Sequence, residues 1–182
     1  MNSVQKSETH FVLLTHSAEY KKPKNTGHLL QKLSSSVEFI TWDRASQNPL
    51  EQLASEAILL FPREKIDSWN KQQQVNEKSL AAKFSIIKVE TFVAVPSVKV
   101  VIIDATWQQA WKMYRQSPVL QSLPVLSLPN RESEYRLRRN PQGLSTAETA
   151  ADVLRLRGER QAADNLYSAF KAFMDDYEAA KR

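Results

Sequence analysis

The sequence predicts an α/β fold with a mainly parallel central sheet flanked by helices. Three observations carry that reading. Short aliphatic runs alternate with amphipathic segments along the chain. One run, Val100-Val101-Ile102-Ile103, has no polar alternation, as expected of a strand buried on both faces of a parallel sheet. Helix start and stop signals fall between the runs. At 182 residues and 42% hydrophobic content the chain can bury one substantial core, so a single domain over 1–182 is expected.

In chain order, residues 11–15 make the first expected strand, and Thr26 to Leu33 a short helix with Leu29, Leu30 and Leu33 on one side. Val37 to Trp42 alternates and gives a second strand. Pro49 suits the first turn of a helix reaching about Ser55, and Ala57 to Phe61 is a third strand stopped by Pro62. Residues 63–97 carry the weakest pattern and read as a variable insertion. Gln72-Gln73-Gln74 would lie in it, in an exposed helix or the insertion proper, and Pro96 would end a strand at 90–95. The strand at 98–103 feeds a helix from Thr106 to about Arg115, which Pro118 breaks. Leu123 to Leu128 is a further short strand. Ser145 with Glu148 three residues later forms a capping-box pattern that opens the clearest helix, and Gly158 suits its far end. A last helix covers about 159–179, with Ala163, Leu166, Phe170 and Phe173 at helical spacing.

Composition removes several chemistries. With no cysteine there is no disulfide, thiolate metal site or thiol nucleophile. His10, His16 and His28 lack metal-ligand spacing, so no metal is expected. No apolar stretch is long enough to cross a bilayer and the N-terminus has no signal pattern, so a cytoplasmic protein without membrane contact is expected. A monomer is expected as well. Net charge of +5 and a pI near 9.4 suit a polyanionic partner without requiring one.

Five segments could carry chemistry. Asp104-Ala105-Thr106-Trp107 ends the buried strand, where ligands of open α/β sheets bind. Asp104 can orient a ligand there or simply cap the next helix, and Trp107 can cover an apolar ring or be ordinary core. Thr15 to Glu19 leads through Lys21, Lys22 and Lys24 to Asn25-Thr26-Gly27, either an anion-facing loop or a solvated loop with a cap. Leu60-Phe61-Pro62 can floor an adenine pocket or be a plain strand end. Arg131, Tyr135, Arg136, Arg138 and Arg139 gather four guanidinium groups and a phenol, suited to gripping phosphates and stacking on a base, or to solvation alone. The helix start at Gly143 to Glu148 offers unpaired N–H groups to an anion, or is closed by Ser145.

Taken in order, these segments resemble the DTW-domain family, through Asp104-Ala105-Thr106-Trp107 with Gln108 and Ala110, through Ser133-x-Tyr135-x-Leu137-Arg138, and through Leu144-Ser145-Thr146-Ala147-Glu148. The His16 loop with Asn25-Thr26-Gly27, and Leu60-Phe61-Pro62, fit as well. The resemblance implies a tRNA-uridine aminocarboxypropyltransferase. Such an enzyme moves the 3-amino-3-carboxypropyl group of S-adenosylmethionine to N3 of a uridine in tRNA and releases methylthioadenosine. It also implies a SPOUT-like fold with a C-terminal trefoil knot, an exception to unknotted topology. The N-terminal cysteine cluster of many bacterial members is absent here.

On that resemblance the adenine of S-adenosylmethionine would lie between Leu60, Phe61, Pro62, Trp107, Leu126 and Leu128, with Thr106 beside it. The methionine carboxylate would sit on the N–H groups of Ser145, Thr146, Ala147 and Glu148, and Thr26 or the 15–19 loop would hold the amino-acid part. Asp104 would take the uridine N3 proton or only orient the substrate. Lys21, Lys22, Lys24, Arg131, Tyr135, Arg136, Arg138 and Arg139 would hold tRNA. Rival readings are a methyltransferase using the same donor, aminocarboxypropyl transfer to ribosomal RNA, and a non-catalytic RNA-binding module.

Overall fold

Five strands make one sheet: β1 (Glu8–His16), β2 (Val37–Trp42), β3 (Ala57–Leu60), β4 (Ser97–Asp104) and β5 (Val125–Leu126). Their order is β2-β1-β4-β3-β5 and every pairing is parallel, as the unalternating run at Val100 to Ile103 required. The structure is a computed structural model describing residues 8–33, 37–46, 48–53, 57–72, 86–129, 131–137 and 143–180.

Alternation along each strand divides the core into two layers. Phe11 and Leu13 of β1, with Val100 and Ile102 of β4, face a layer closed by a 3-10 helix (Gly27–Lys32) and by the helices near the C-terminus. Val12, Leu14 and Val101 face the opposite layer. That second layer receives Leu50 of α1 (Asn48–Glu51), Ile66 of α2 (Arg63–Gln72) and Phe61. The stretch read as an insertion thus contributes to both cores. Ile66 enters one, and Phe92 of α3 (Val89–Ala94) is fully buried in the other. Gln73 and Gln74 lie outside the described residues.

The strand expected at 90–95 is a correction, since these residues form α3. Its β-branched composition favours a strand locally, but a distant side chain decides the outcome. Arg157 is buried and donates from its guanidinium to the carbonyls of Phe92, Val93, Val95 and Pro96, satisfying the last turn of α3 and the turn after it. Its Nε also donates to Thr9, whose hydroxyl donates to Glu159. Burial lowers the pKa of this guanidinium from its ordinary value, with the Glu159 charge acting the other way.

Further boundaries moved, and β5 keeps only Val125–Leu126 of the strand expected over Leu123 to Leu128. α1 ends at Glu51 instead of running to about Ser55. Pro118 does more than break the helix before it: it opens α5 (Pro118–Ser122) as a first-turn residue, where a missing N–H costs nothing. Before it runs α4 (Trp107–Arg115), and after β5 come α6 (Thr146–Leu156) and α7 (Arg160–Ala179). Gly158, at φ +77°, ends α6 as its position suggested. α6 and α7 pack Ala150, Leu154, Leu166 and Phe170 into the first layer, whereas α4 packs Ala110, Met113 and Tyr114 into the second.

This arrangement fixes where a ligand can enter. The connection after β1 covers one face of the sheet and leads to β2, while the connection after β4 covers the other and leads to β5. β1 and β4 are neighbours, so a crevice opens between their carboxyl ends, the switch point at which such sheets bind ligands.

Candidate active site

Asp104 is the last residue of β4 and stands opposite Thr15 of β1 in the parallel register. Its side chain is 6% exposed and accepts from three donors. Oδ1 accepts from the Thr146 hydroxyl at 2.7 Å, and Oδ2 accepts from Asn25 Nδ2 at 2.7 Å and from the Thr15 hydroxyl at 3.3 Å. Donors from β1, the loop after β1 and the start of α6 therefore meet on one carboxylate. An ionised carboxylate offers about four acceptor positions, so one direction remains for a ligand. Gly27 makes the crowding possible: a Cβ there would lie 2.5 Å from Asp104 Oδ2. Asn25 also closes its own turn, since its Oδ1 accepts from the Gly27 N–H.

Asp104 does not cap the helix that follows. Thr106 does: its hydroxyl accepts from the Gln109 N–H and donates to Gln109 Oε1, which also accepts from the Thr106 N–H. The Thr106 hydroxyl expected to meet a cofactor is thus engaged in a capping box, although the residue lines the cavity. Trp107 follows at the first helical position and is 38% exposed. Its ring meets Phe61 edge-on, with centroids 6.3 Å apart, and lies against Gly143. Gly143 has φ +75°, and a Cβ there would come 2.6 Å from the indole, so glycine is needed on both counts.

The start of α6 corrects an expectation. Its N–H groups were expected to wait for a substrate carboxylate, yet most are spent inside the protein. Glu148 N–H donates to the Ser145 hydroxyl, Ser145 N–H to Glu148 Oε2, and Ala147 N–H to the Thr26 hydroxyl. Glu148 is fully buried and also accepts from the Ser133 hydroxyl at 2.7 Å and the Glu134 N–H at 2.7 Å, with Arg131 3.6 Å away. Burial alone would raise this carboxyl's pKa; hydrogen bonds from Ser133, Ser145 and Glu134 outweigh it and hold the group below its ordinary value. Ser145, Ala147 and Glu148 lie behind the cavity wall, whereas Thr146 and Thr149 reach it.

The cavity at this crevice measures about 890 Å³. One side is apolar, built from Leu60, Phe61, Pro62, Leu126, Leu128 and Trp107. The other is polar and carries Asp104, Asn25, Thr26, Thr146, Lys22 and Lys24. All the residues expected at an adenine slot therefore border one space.

Of the residues expected to bind RNA, Lys22, Lys24, Arg131 and Tyr135 border this same cavity, but their polar groups are engaged within the protein. Arg131 borders the cavity, but its guanidinium holds Asp152 at 2.8 and 3.1 Å, and the Asp152 hydrogen bond raises its pKa. Arg136 lies outside the cavity lining and pairs with Glu178 and Asp175 on α7. Tyr135 is buried beside Phe170 and donates its hydroxyl to the Lys24 carbonyl, so it is not an exposed stacking surface. Lys24 donates to the Leu137 carbonyl, Lys22 pairs with Glu19, and Lys21 is exposed outside the cavity lining. Arg138 and Arg139 lie outside the described residues. The arginine cluster reads as an RNA grip in sequence because its acidic partners lie far along the chain.

Asn25, Thr15 and Gly27 were not singled out as site residues. The signal for two of them is present in Asn25-Thr26-Gly27, which reads in sequence either as part of an anion-facing loop or as a solvated loop with a helix cap.

Among the described residues no group of three or more His, Asp or Glu side chains could hold a metal ion, and no helix is long and apolar enough to cross a membrane. A family model described as the DTW domain matches residues 1–178. No solved structure matches the chain.

Proposed function

The chain belongs to the DTW-domain family, and from that premise we propose that it modifies tRNA by moving the 3-amino-3-carboxypropyl group of S-adenosylmethionine to N3 of a uridine. The observation that carries this reading is one cavity joining an apolar strand-end wall to a buried, triply bonded Asp104 at the sheet's switch point. Its volume falls within the roughly 300–1,000 Å³ of small-molecule sites, which suits a nucleoside with an amino-acid arm.

Leu60, Phe61, Pro62, Leu126 and Leu128 flank the adenine, and Trp107 closes the mouth over it. The polar side receives the amino-acid arm. Lys24 places positive charge near its carboxylate, while Lys22 is paired with Glu19, and the Thr146 N–H is the α6 donor with no partner among the described residues. Asp104 uses its remaining acceptor direction to hold the arm or the uridine, so orientation is its part in the reaction. Such orientation must present the Cγ carbon, not the methyl group, to N3. The N3–Cγ bond forms as the Cγ–sulfur bond breaks, the electron pair goes to sulfur, methylthioadenosine leaves, and the N3 proton passes to solvent or a nearby base. A SPOUT-like arrangement with a C-terminal knot belongs to the same proposal.

The test incubates protein, S-adenosylmethionine and tRNA, then identifies both products by mass spectrometry. A uridine heavier by the aminocarboxypropyl group, together with methylthioadenosine, supports the reading; S-adenosylhomocysteine would replace it with methyl transfer. Asp104→Asn is expected to raise KM more than it lowers kcat. A kcat loss of about 100-fold or more at unchanged KM would instead make Asp104 the general base.

A further inference from the structure

The cations expected to hold RNA are mostly tied to acids or carbonyls of the protein itself, and a different surface carries cations without such partners. Between Ala105 and Arg131 the sequence contains no acid. Within that stretch α4 exposes Gln108, Lys112 and Arg115, spaced so that they share one face of the helix. Lys112 and Arg115 form no ion pair with a described residue. Arg115 instead lies 5.8 Å from the centre of the Trp111 ring. The neighbouring α2 differs: its Trp69 meets Trp111 edge-on, but Arg63 is paired with Asp67 and Glu64 is exposed.

This face is continuous with the cavity. Gln108 and Trp107 both border the mouth, and Lys112 stands one turn further along the helix from Gln108. From Gln108 to Arg115 the face spans roughly 10 Å, at 1.5 Å per helical residue. That is long enough for more than one phosphate of an extended strand. At its start stands the exposed edge of Trp107, and unpaired bases stack on such rings whatever their identity.

We infer that the outer face of α4 is the track along which a single-stranded loop of tRNA reaches the cavity, with Lys112 and Arg115 on its phosphates and Trp107 meeting the incoming base. The inference rests on the tRNA-modifying reading above. It departs from the sequence expectation by moving the RNA grip from the Lys21–Lys24 loop and the 131–139 segment to α4.

Binding of unmodified tRNA to the full chain, measured by fluorescence anisotropy from 50 to 200 mM salt, tests it. Each phosphate contact to a single strand contributes about 0.7 to the slope of log affinity against log salt. Lys112→Ala with Arg115→Ala should therefore flatten the slope by about 1.4, with binding weakened about tenfold at the low-salt end. Arg136→Ala, whose partners lie on α7, should leave the slope unchanged. Equal thermal melting of the double variant and the parent chain excludes misfolding. A double variant with the parental slope, or an Arg136→Ala that flattens it, overturns the assignment to α4 and leaves the reaction standing. A parent chain that binds no tRNA overturns the reaction and the track together.

Discussion

The chain uses the same device twice, at the starts of α4 and α6, and the two copies do different work. Thr106 with Gln109 and Ser145 with Glu148 are both complete capping boxes. The first is exposed at the rim of the cavity and, among the described residues, its side chains bond only within the box. The second is buried, ionised, and joined to Ser133, Glu134 and Arg131 on the loop before it, while its neighbour Thr146 holds Asp104. A capping pattern in sequence thus reports a helix start and says nothing of its weight. That weight is set by which distant groups converge on the box.

The comparison breaks most clearly at Glu148. Glu148→Ala strands the Ser145 N–H in a buried place and takes the partner from the half-buried Ser133 hydroxyl, the Glu134 N–H and part of Arg131. A loss of about 3–5 kcal/mol in urea unfolding is expected, as for other severed buried charge networks. Gln109→Ala at the exposed box is the matched control and should change stability by no more than about 0.5 kcal/mol.

The same carboxylate imposes a pH dependence. Its folded value lies below the ordinary 4.5, so its contribution is fully present above that value and fades as pH falls through the lowered one. Acid titration of stability should show a steeper loss for the parent chain than for Glu148→Gln below about pH 4.5. Parallel curves would place the network's charge elsewhere.

A smaller contrast separates the two cap hydroxyls. Ser145→Ala should cost about 1–2 kcal/mol and Thr106→Ala about 0.5–1 kcal/mol, since water can replace the exposed partner. Equal costs would show that burial does not amplify the cap. Smaller again is Gly143→Ala, where a left-handed backbone costs about 1 kcal/mol and the new methyl must displace Trp107. A shifted tryptophan emission is the direct readout.

What was legible in the sequence follows the range of the interaction that decides it. The buried strand at Val100, the box at Ser145 and the terminator at Gly158 depend on neighbours within a few positions, and each appears as read. The box at Thr106 was equally local and fits the same pattern, but it was overshadowed by Asp104 two residues earlier. α3 could not be read, because Arg157 satisfies its end from more than sixty positions away. The fate of the arginines was hidden for the same reason: Arg131 finds Asp152 21 positions away, and Arg136 finds Asp175 and Glu178 39 and 42 positions away. Apolar cavity residues were found because strand ends announce themselves; Asn25 and Thr15 were passed over because their common partner lies on another strand.

Arg157, clasping the far end of the two central strands, divides the molecule into an anchoring end and a cavity end. The clasp joins the starts of β1 and β4 to the last two helices, and the described groups its guanidinium bonds lie outside the cavity lining. Loops bordering the cavity can therefore be exchanged or lengthened while the opposite end keeps the scaffold closed. A fold fastened in this way can vary its substrate without rebuilding its frame.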